Sequence, residues 1–342
     1  MTPVGIDAAA VQRWLTDLGV EHEPPLRYQR IGLGQSNLTY RVTDARDRSW
    51  VLRRPPLGHL LASAHDVVRE ARIIAALADT DVPVPRILGV STESISGVAV
   101  VLMEFVDGLV VDTMAAAEAL TPQHRRKIAE SMPSTLARIH AVDLERAGLA
   151  DLASHKPYAQ RQLKRWSAQW AQSKTRELPA LDDLTRRLAA AIPEQREISL
   201  VHGDFHLRNL ITAPDTGAVV ATLDWELSTL GDPMADMGTL LTYWPEPGES
   251  TGADFAPSTL EGFPSRAEMA DRYLDETGRD PAALRYWHVL GMWKLAIIAE
   301  GVMRRARDEP ENKAVAGTPT VERIDSIVDK ACEIADAVGI PR

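Results

Sequence analysis

Alternating apolar and polar residues near the start of the chain predict a small antiparallel sheet. Residues 30–43 alternate around two glycines, and residues 49–54 form a short strand ended by Pro55-Pro56. Residues 98–105 are a further apolar run of strand length. Residues 63–77 carry apolar side chains at helical spacing, with Ser63 as the expected N-cap. The pattern therefore predicts a sheet with one main helix.

After residue 107 the periodicity becomes helical. Residues 121–140 and 282–307 are the clearest helices, because their apolar positions recur every three or four residues. We therefore expect an α+β protein with two lobes. The small N-terminal lobe covers residues 1–106, a hinge lies at about residues 104–108, and the larger, mostly helical lobe covers residues 107–342.

The composition is that of an ordinary globular protein. Hydrophobic residues make up 45% of the chain and charged residues 25%. The net charge of -10 argues against nucleic acid or an anionic membrane as a partner. Cys332 is the only cysteine, and no secretory signal pattern or long apolar span is present. We expect a cytoplasmic protein that acts on a small molecule.

The candidate chemistry lies where a short apolar strand, residues 198–201, runs into His202-Gly203-Asp204. Asn209 follows Asp204 by five positions, the interval of the kinase catalytic loop, in which the Asp accepts a hydroxyl proton and the Asn holds magnesium. Turn residues 214–217 are expected to return Asp224 to the same place. Carboxylate and amide oxygens suit Mg²⁺. This spacing predicts a phosphoryl-transfer site.

These residues, together with Leu223-Asp224-Trp225-Glu226, resemble the aminoglycoside phosphotransferase family, whose fold is similar to that of protein kinases. The resemblance implies a small-molecule kinase that transfers the γ-phosphoryl group of ATP or GTP to an acceptor hydroxyl. It implies that Asp204 is the catalytic residue and that Asn209 and Asp224 bind Mg²⁺. Asp236 would brace the catalytic loop through its carboxylate, and we interpret His202 as support for the same loop.

The resemblance also implies a nucleotide site in the first lobe. A glycine-rich turn would cover the phosphates, and its candidate residues are Gly32, Gly34, Ser36 and Asn37. The backbone of Glu104 and Val106 would hydrogen-bond the nucleotide base at the hinge.

One residue of the nucleotide site departs from the family pattern. Arg53 stands where kinases have a Lys that contacts the phosphates, and Arg is not a neutral exchange for Lys. Glu70 on the predicted helix is its expected partner. Strand alternation sends Arg54 to the opposite face, where we expect it to be solvated.

The acceptor is less well defined by the sequence. The helix at residues 282–307 carries Trp287, Trp293 and Lys294, which suit an anionic or apolar acceptor better than a polycationic aminoglycoside, although aromatic residues at helical spacing also suit a core. Residues 53–58 and 64–70 resemble the kinase-like domains fused to acyl-CoA dehydrogenases. That resemblance implies a hydroxyacyl-CoA or a similar anionic metabolite as the acceptor.

Two other functions stay open at this point. Arg53 in place of Lys is compatible with a non-catalytic nucleotide-binding regulatory module. Phosphorylation of a protein hydroxyl is disfavoured, because no peptide-docking or activation segment is apparent after Asp224.

Overall fold

The computed structural model describes residues 3–32, 37–56, 66–92, 95, 97–249, 255–308 and 318–341. The chain forms two compact units. The first comprises Met1–Gly108 with Val220–Glu226, and the second comprises Leu109–Val219 with Leu227–Arg342. The sequence-based boundary assigns residues 220–226 to the second lobe. In the structure this short segment packs with the first unit.

The first unit is built on a five-stranded antiparallel sheet with the strand order β1-β2-β3-β5-β4. Its strands are β1 (Arg27–Ile31), β2 (Leu38–Thr43), β3 (Ser49–Arg54), β4 (Ile87–Ser91) and β5 (Val100–Glu104). Pro55 ends β3, as the sequence predicts, since Pro has no N–H to give to a neighbouring strand.

A helix packs on each face of this sheet. Along β5, Val100 and Leu102 belong to the core that contains α1 (Ala8–Asp17), whereas Val101 and Met103 pack with α2 (Val67–Leu77). This alternation follows from the two-residue repeat of a strand. The sequence analysis predicted only α2. The predicted helix start, Ser63, lies outside the described residues; α2 follows Asp66, whose side chain accepts from Arg69 N.

The second unit is mostly helical. Its helices are α3 (Met114–Glu118), α4 (Pro122–His140), α5 (Tyr158–Ser173), α6 (Pro179–Ala190), α7 (Met234–Thr242), α8 (Arg266–Thr277), α9 (Ala282–Asp308) and α10 (Val321–Ala337). Helices α7 and α9 approach closely at two glycines. A Cβ on Gly238 would lie 2.5 Å from the backbone of Trp287, and one on Gly291 would lie 2.3 Å from Thr242 Oγ1.

Short strands carry the predicted catalytic segment. Strand β6 (Ser199–Val201) pairs antiparallel with β9 (Thr229–Gly231), and β7 (Leu210–Thr212) follows the segment. Strand β8 (Val219–Thr222) begins in the second unit and continues into the first. Among the described residues, no helix has the length and apolar character needed to cross a bilayer.

Candidate active site

The turn after β6 depends on Gly203. Its φ of +86° lies in the left-handed region, which side chains disfavour, and a Cβ there would meet Leu227 O at 2.8 Å. The carbonyl of Gly203 accepts from Lys294 Nζ at 3.2 Å. Gly203 therefore sets the direction in which the chain leaves the strand and presents Asp204.

Replacing Gly203 by Ala should destabilise the protein by roughly 2–4 kcal/mol, because left-handed strain and an overpacking clash add. Gly148→Ala is the matched control, since Gly148 has a φ of +66° and open space around its missing Cβ. The control should show only the backbone cost, about 1–2 kcal/mol. Urea unfolding of the two variants measures the difference, and equal losses would show that the contact with Leu227 is unimportant.

Asp204 and Asn209 are joined directly in the loop. Asn209 Nδ2 donates to the backbone oxygen of Asp204 at 2.8 Å and to its carboxylate Oδ2 at 3.2 Å. The amide nitrogen of Asn209 is thus occupied by Asp204. Its amide oxygen has no hydrogen-bond partner in the described part of the chain. The loop thus curls back on itself and presents one carboxylate and one free amide oxygen.

Basic side chains next to Asp204 stabilise its negative charge. Burial raises the pKa of this carboxyl, but His206, Lys294 and His202 together lower it below its ordinary value. The His206 ring is the nearest of them, with Nε2 3.3 Å from Asp204 Oδ2. Asp204 is therefore ionised at neutral pH and can accept a hydrogen bond from a hydroxyl. The sequence analysis assigns no role to His206.

Asp236 holds the backbone of the loop that carries Asp204. Its carboxylate is fully buried and accepts from His202 N at 2.6 Å and from Gly203 N at 2.8 Å. His140 Nε2 lies 3.2 Å from the same carboxylate, and its Nδ1 lies 2.7 Å from the hydroxyl of Tyr273. Although burial raises the pKa of Asp236, the His140 and His202 contacts lower it below the ordinary value. The two N–H contacts hold the loop backbone, and the His140 contact holds the Asp236 carboxylate.

The three candidate acceptor-binding residues of α9 have different surroundings. Trp293 is fully buried, and its Nε1 donates to Thr185 Oγ1, so core packing explains this residue better than acceptor binding. Trp287 is almost fully buried, yet it lines a small pocket together with Lys294. The Lys294 ammonium lies 5.3 Å from the centre of the Trp166 ring as well as on the carbonyl of Gly203.

In the first unit, Arg53 links two carboxylates. Its Nε lies 2.8 Å from Glu70 Oε2, and its Nη2 donates to Asp224 Oδ1 at 2.7 Å. Arg54 is not solvated as expected. It is buried, and its guanidinium donates to the carbonyls of Pro55 and Gly5. Strand alternation does separate the two arginines, but the N-terminal segment covers the second one.

Glu70 is buried beside this arginine. Burial raises the pKa of Glu70 to about 7, since the opposing effect of Arg53 is smaller and Asp224 raises it further. Glu70 Oε1 also accepts from the backbone N–H of Trp225 at 3.2 Å. Trp225 is fully buried, and its Nε1 donates to Thr222 O. The segment after Asp224 is therefore held by a backbone N–H and by a buried indole.

Asp224 has a carboxylate oxygen available for a metal ion and a strained backbone conformation. Its φ of +66° is unusual for a residue other than Gly, and such strain concentrates at functional sites. Oδ1 is bound by Arg53, and Oδ2 has no partner in the described residues. No cluster of three His, Cys, Asp or Glu occurs among the described residues, but Mg²⁺ needs only one or two protein oxygens besides phosphates and water. Within the first unit, the free carboxylate oxygen of Asp224 is chemically suited to Mg²⁺. Within the second unit, the same holds for the free amide oxygen of Asn209.

The glycine-rich turn is described only in part, because Gly34 and Ser36 lie outside the described residues. Gly32 has a φ of +78° and open space around it. Asn37 is buried and donates to Glu226 Oε2 at 3.3 Å, while its amide oxygen is buried without a partner in the described chain. A buried, unpaired polar atom at such a turn is compatible with a nucleotide ligand.

The predicted hinge leaves backbone groups free. Glu104 is the last residue of β5 and makes two hydrogen bonds with Arg86. Its backbone N–H donates to Arg86 O, and its side chain accepts from Arg86 N. Val106 lies beyond the strand, and its backbone N–H and carbonyl make no hydrogen bond to another described residue. These are the groups that recognition of a nucleotide base would need.

Comparison with known proteins agrees with this arrangement. The family model described as "Phosphotransferase enzyme family" matches residues 27–287, and the chain belongs to that family. A Ralstonia eutropha structure, provisionally classed as an aminoglycoside phosphotransferase, is 31% identical with a TM-score of 0.78 and covers 97% of this chain and 99% of its own. The prediction of an α+β protein-kinase-like fold is confirmed.

Two relatives carry the match to a particular subgroup. Acyl-CoA dehydrogenase family member 10 of Mus musculus is 35% identical over 92% of this chain and 30% of its own length. Acyl-CoA dehydrogenase family member 11 of Rattus norvegicus is 34% identical over 87% of this chain and 39% of its own length. The chain therefore spans only 30% to 39% of the length of these longer proteins, and the predicted subgroup resemblance is confirmed.

Proposed function

We propose that the protein is a small-molecule kinase that transfers the γ-phosphoryl group of ATP or GTP to an acceptor hydroxyl. The observation that carries the proposal is the Asp204 loop: an ionised carboxylate, fixed by Asn209 and by buried Asp236, beside a free amide oxygen. Family membership and the kinase-like fold support this reading.

The proposed roles follow from chemistry. Asp204 accepts the hydrogen bond of the acceptor hydroxyl and orients its oxygen toward the phosphoryl group. Asn209 and Asp224 are the proposed magnesium ligands, and a bound Mg²⁺ would neutralise charge on the phosphates. Arg53, held by Glu70, is the proposed phosphate contact.

The proposed nucleotide site uses backbone and small side chains. The backbone of Glu104 and Val106 would bind the base, and the glycine-rich turn would cover the phosphates. The turn residues in this proposal are Gly32, Gly34, Ser36 and Asn37.

A hydroxyacyl-CoA or a similar anionic hydroxy compound is the proposed acceptor. Support comes from the relatives named as acyl-CoA dehydrogenase family members. Trp287 and Lys294 are the remaining α9 candidates for contact with it. A cytoplasmic location without a nucleic-acid or membrane partner belongs to the same proposal, and is supported by the single cysteine and the net charge of -10.

Arg53→Lys is expected to lower the Mg²⁺ concentration needed for half-maximal turnover by roughly five- to thirtyfold. Arg53 now holds one oxygen of Asp224, and a single ammonium cannot bridge Asp224 and Glu70 in the same way. This fold-change corresponds to the loss of about 1–2 kcal/mol of Arg53–Asp224 interaction, which competes with Mg²⁺ for the Asp224 carboxylate. Arg27→Lys, at an exposed pair with Asp47, is the control. An unchanged Mg²⁺ requirement in Arg53→Lys would show that the arginine does not compete with the metal.

The function is tested by measuring nucleotide binding and nucleotide consumption separately. Consumption of ATP and GTP is followed with Mg²⁺ against hydroxyacyl-CoA esters, aminoglycosides and sugars. Turnover that depends on one acceptor class supports the kinase. Mg²⁺-dependent nucleotide binding without turnover on any class would instead favour the regulatory module, for which Arg53 at the Lys position is the motivating observation.

A further inference from the structure

Arg208, next to the Asp204 loop, has a guanidinium that is held in a fixed position and makes no ion pair with a described carboxylate. It lies in the 3-10 turn Leu207–Asn209, directly before the proposed metal ligand. Its guanidinium carbon is 3.9 Å from the centre of the Phe255 ring, and its Nε donates to the carbonyl of Asp112 at 3.1 Å. These contacts fix the plane of the group and leave both Nη atoms without an acceptor in the described chain.

Arg323 is a second partly buried arginine that has no counterion in the described part of the chain. It lies in the first turn of α10, where its backbone N–H donates to Thr320 Oγ1, while its side-chain Nε is buried without a hydrogen-bond partner. Arg208 and Arg323 form no ion pair with a described carboxylate, whereas Arg187 and Arg266 each hold one at 2.6 Å. Leaving a partly buried charge unpaired is costly, and a ligand anion would remove that cost.

Arg208 and Arg323 influence the same tyrosine, Tyr243, as the Asp204 carboxylate does. The Tyr243 ring lies 4.7 Å from the His206 ring, and His206 contacts Asp204. Burial and the Asp204 charge raise the pKa of the Tyr243 hydroxyl, whereas Arg208 and Arg323 lower it. Burial lowers the pKa of Arg208, Asp112 opposes this change, and Arg323 adds to it. The Tyr243 hydroxyl is therefore within electrostatic reach of Arg208, Arg323 and Asp204.

We propose that Arg208 and Arg323 form an anion-binding site for the acceptor, beside the loop that carries Asp204. The ligand is a carboxylate or phosphate group of the hydroxyl-bearing substrate, which a guanidinium can bind through two parallel hydrogen bonds. Phe255 fixes Arg208 in place for this contact. The inference rests on the proposed function, because it assigns a charged group to the substrate of that reaction.

The test measures binding rather than turnover. Three probes carry the same hydroxyacyl group: free hydroxybutyrate, its coenzyme A thioester and its neutral N-acetylcysteamine thioester. Calorimetry is performed on the full chain, with ADP and Mg²⁺ present, for the unmodified protein, Arg208→Ala, Arg208→Lys, Arg323→Glu and the exposed control Arg285→Ala. We expect the unmodified protein and the control to bind at least one anionic probe more tightly than the neutral one. Arg208→Ala and Arg323→Glu should weaken that binding by roughly ten- to hundredfold, without a comparable change for the neutral probe.

The arms of the experiment separate the possible ligands and the possible failures. A loss confined to the free acid identifies a carboxylate site, and a loss confined to the coenzyme A ester identifies a phosphate site. Arg208→Lys keeps the positive charge but cannot form two parallel hydrogen bonds. Its affinity for the anionic probe should lie between those of the unmodified protein and Arg208→Ala. Equal binding of charged and neutral probes, or no binding of any probe, overturns the site. Selective anion binding without phosphoryl transfer would retain the site and reject the kinase function.

Discussion

Asp204→Asn is expected to lower kcat by roughly 10²- to 10⁴-fold, the usual contribution of a positioned general base. The amide is nearly isosteric with the carboxylate but carries no charge, so it cannot accept the hydroxyl proton. It also gives His206 and Lys294 no counterion. The affinity for the nucleotide should be nearly unchanged, because the proposed nucleotide contacts are made by other residues.

Steady-state kinetics and nucleotide titration measure the two effects of Asp204→Asn separately. Asp215→Asn makes the same chemical change at an exposed turn of the same unit and should keep full turnover. If Asp204→Asn retained turnover within a few-fold of the unmodified protein, Asp204 would not be the base.

Asp236→Ala is expected to cost about 3–5 kcal/mol of the free energy of unfolding, because the backbone donors of His202 and Gly203 lose a buried charged acceptor. The loop should also lose its fixed position. We therefore expect a lower kcat at temperatures well below the melting transition, with a smaller effect on the KM for the nucleotide.

Urea unfolding and kinetics on the same Asp236→Ala preparation separate the two effects. Asp271→Ala, at an exposed position of α8, is the control for loss of a carboxylate. Asp236→Asn should recover part of the stability, because its amide oxygen can still accept from one of the two N–H groups. A variant that is unstable but has an unchanged kcat when folded would limit Asp236 to a purely structural role.

The sequence was sufficient for the main elements of the fold. Strand β3 occupies the predicted residues, and α4 and α9 begin and end within one residue of their predicted limits. Such agreement is expected where Pro residues or a strong apolar repeat mark an element. Helix α1 was not predicted, although Val11 and Leu15 share one face of it. The assignment of residues 220–226 to the first unit depends on tertiary packing, which local periodicity does not encode.

Parts of the candidate site could not be derived from spacing. The five-residue interval indicates Asp204 and Asn209, but only the folded loop shows that the Asn209 amide nitrogen is occupied and its oxygen free. Strand alternation correctly places Arg54 on the face opposite to Arg53. It does not reveal that the N-terminal segment covers that face, so Arg54 is buried rather than in solvent. Phe255 contacts Arg208, and Tyr243 contacts His206. Because the partners are far apart in sequence, no local motif predicts these contacts.

The central claim is tested most directly by detecting the phosphorylated product. The full chain is incubated with Mg²⁺, ATP carrying a labelled γ-phosphoryl group, and a hydroxyacyl-CoA, and the acceptor is then analysed by mass spectrometry. We predict a labelled phosphate monoester on the acceptor hydroxyl, formed by the unmodified protein and by Asp215→Asn but nearly absent with Asp204→Asn. Equal labelling by Asp204→Asn would contradict the assigned chemistry, and nucleotide binding without labelling of any hydroxyl acceptor would contradict the kinase function.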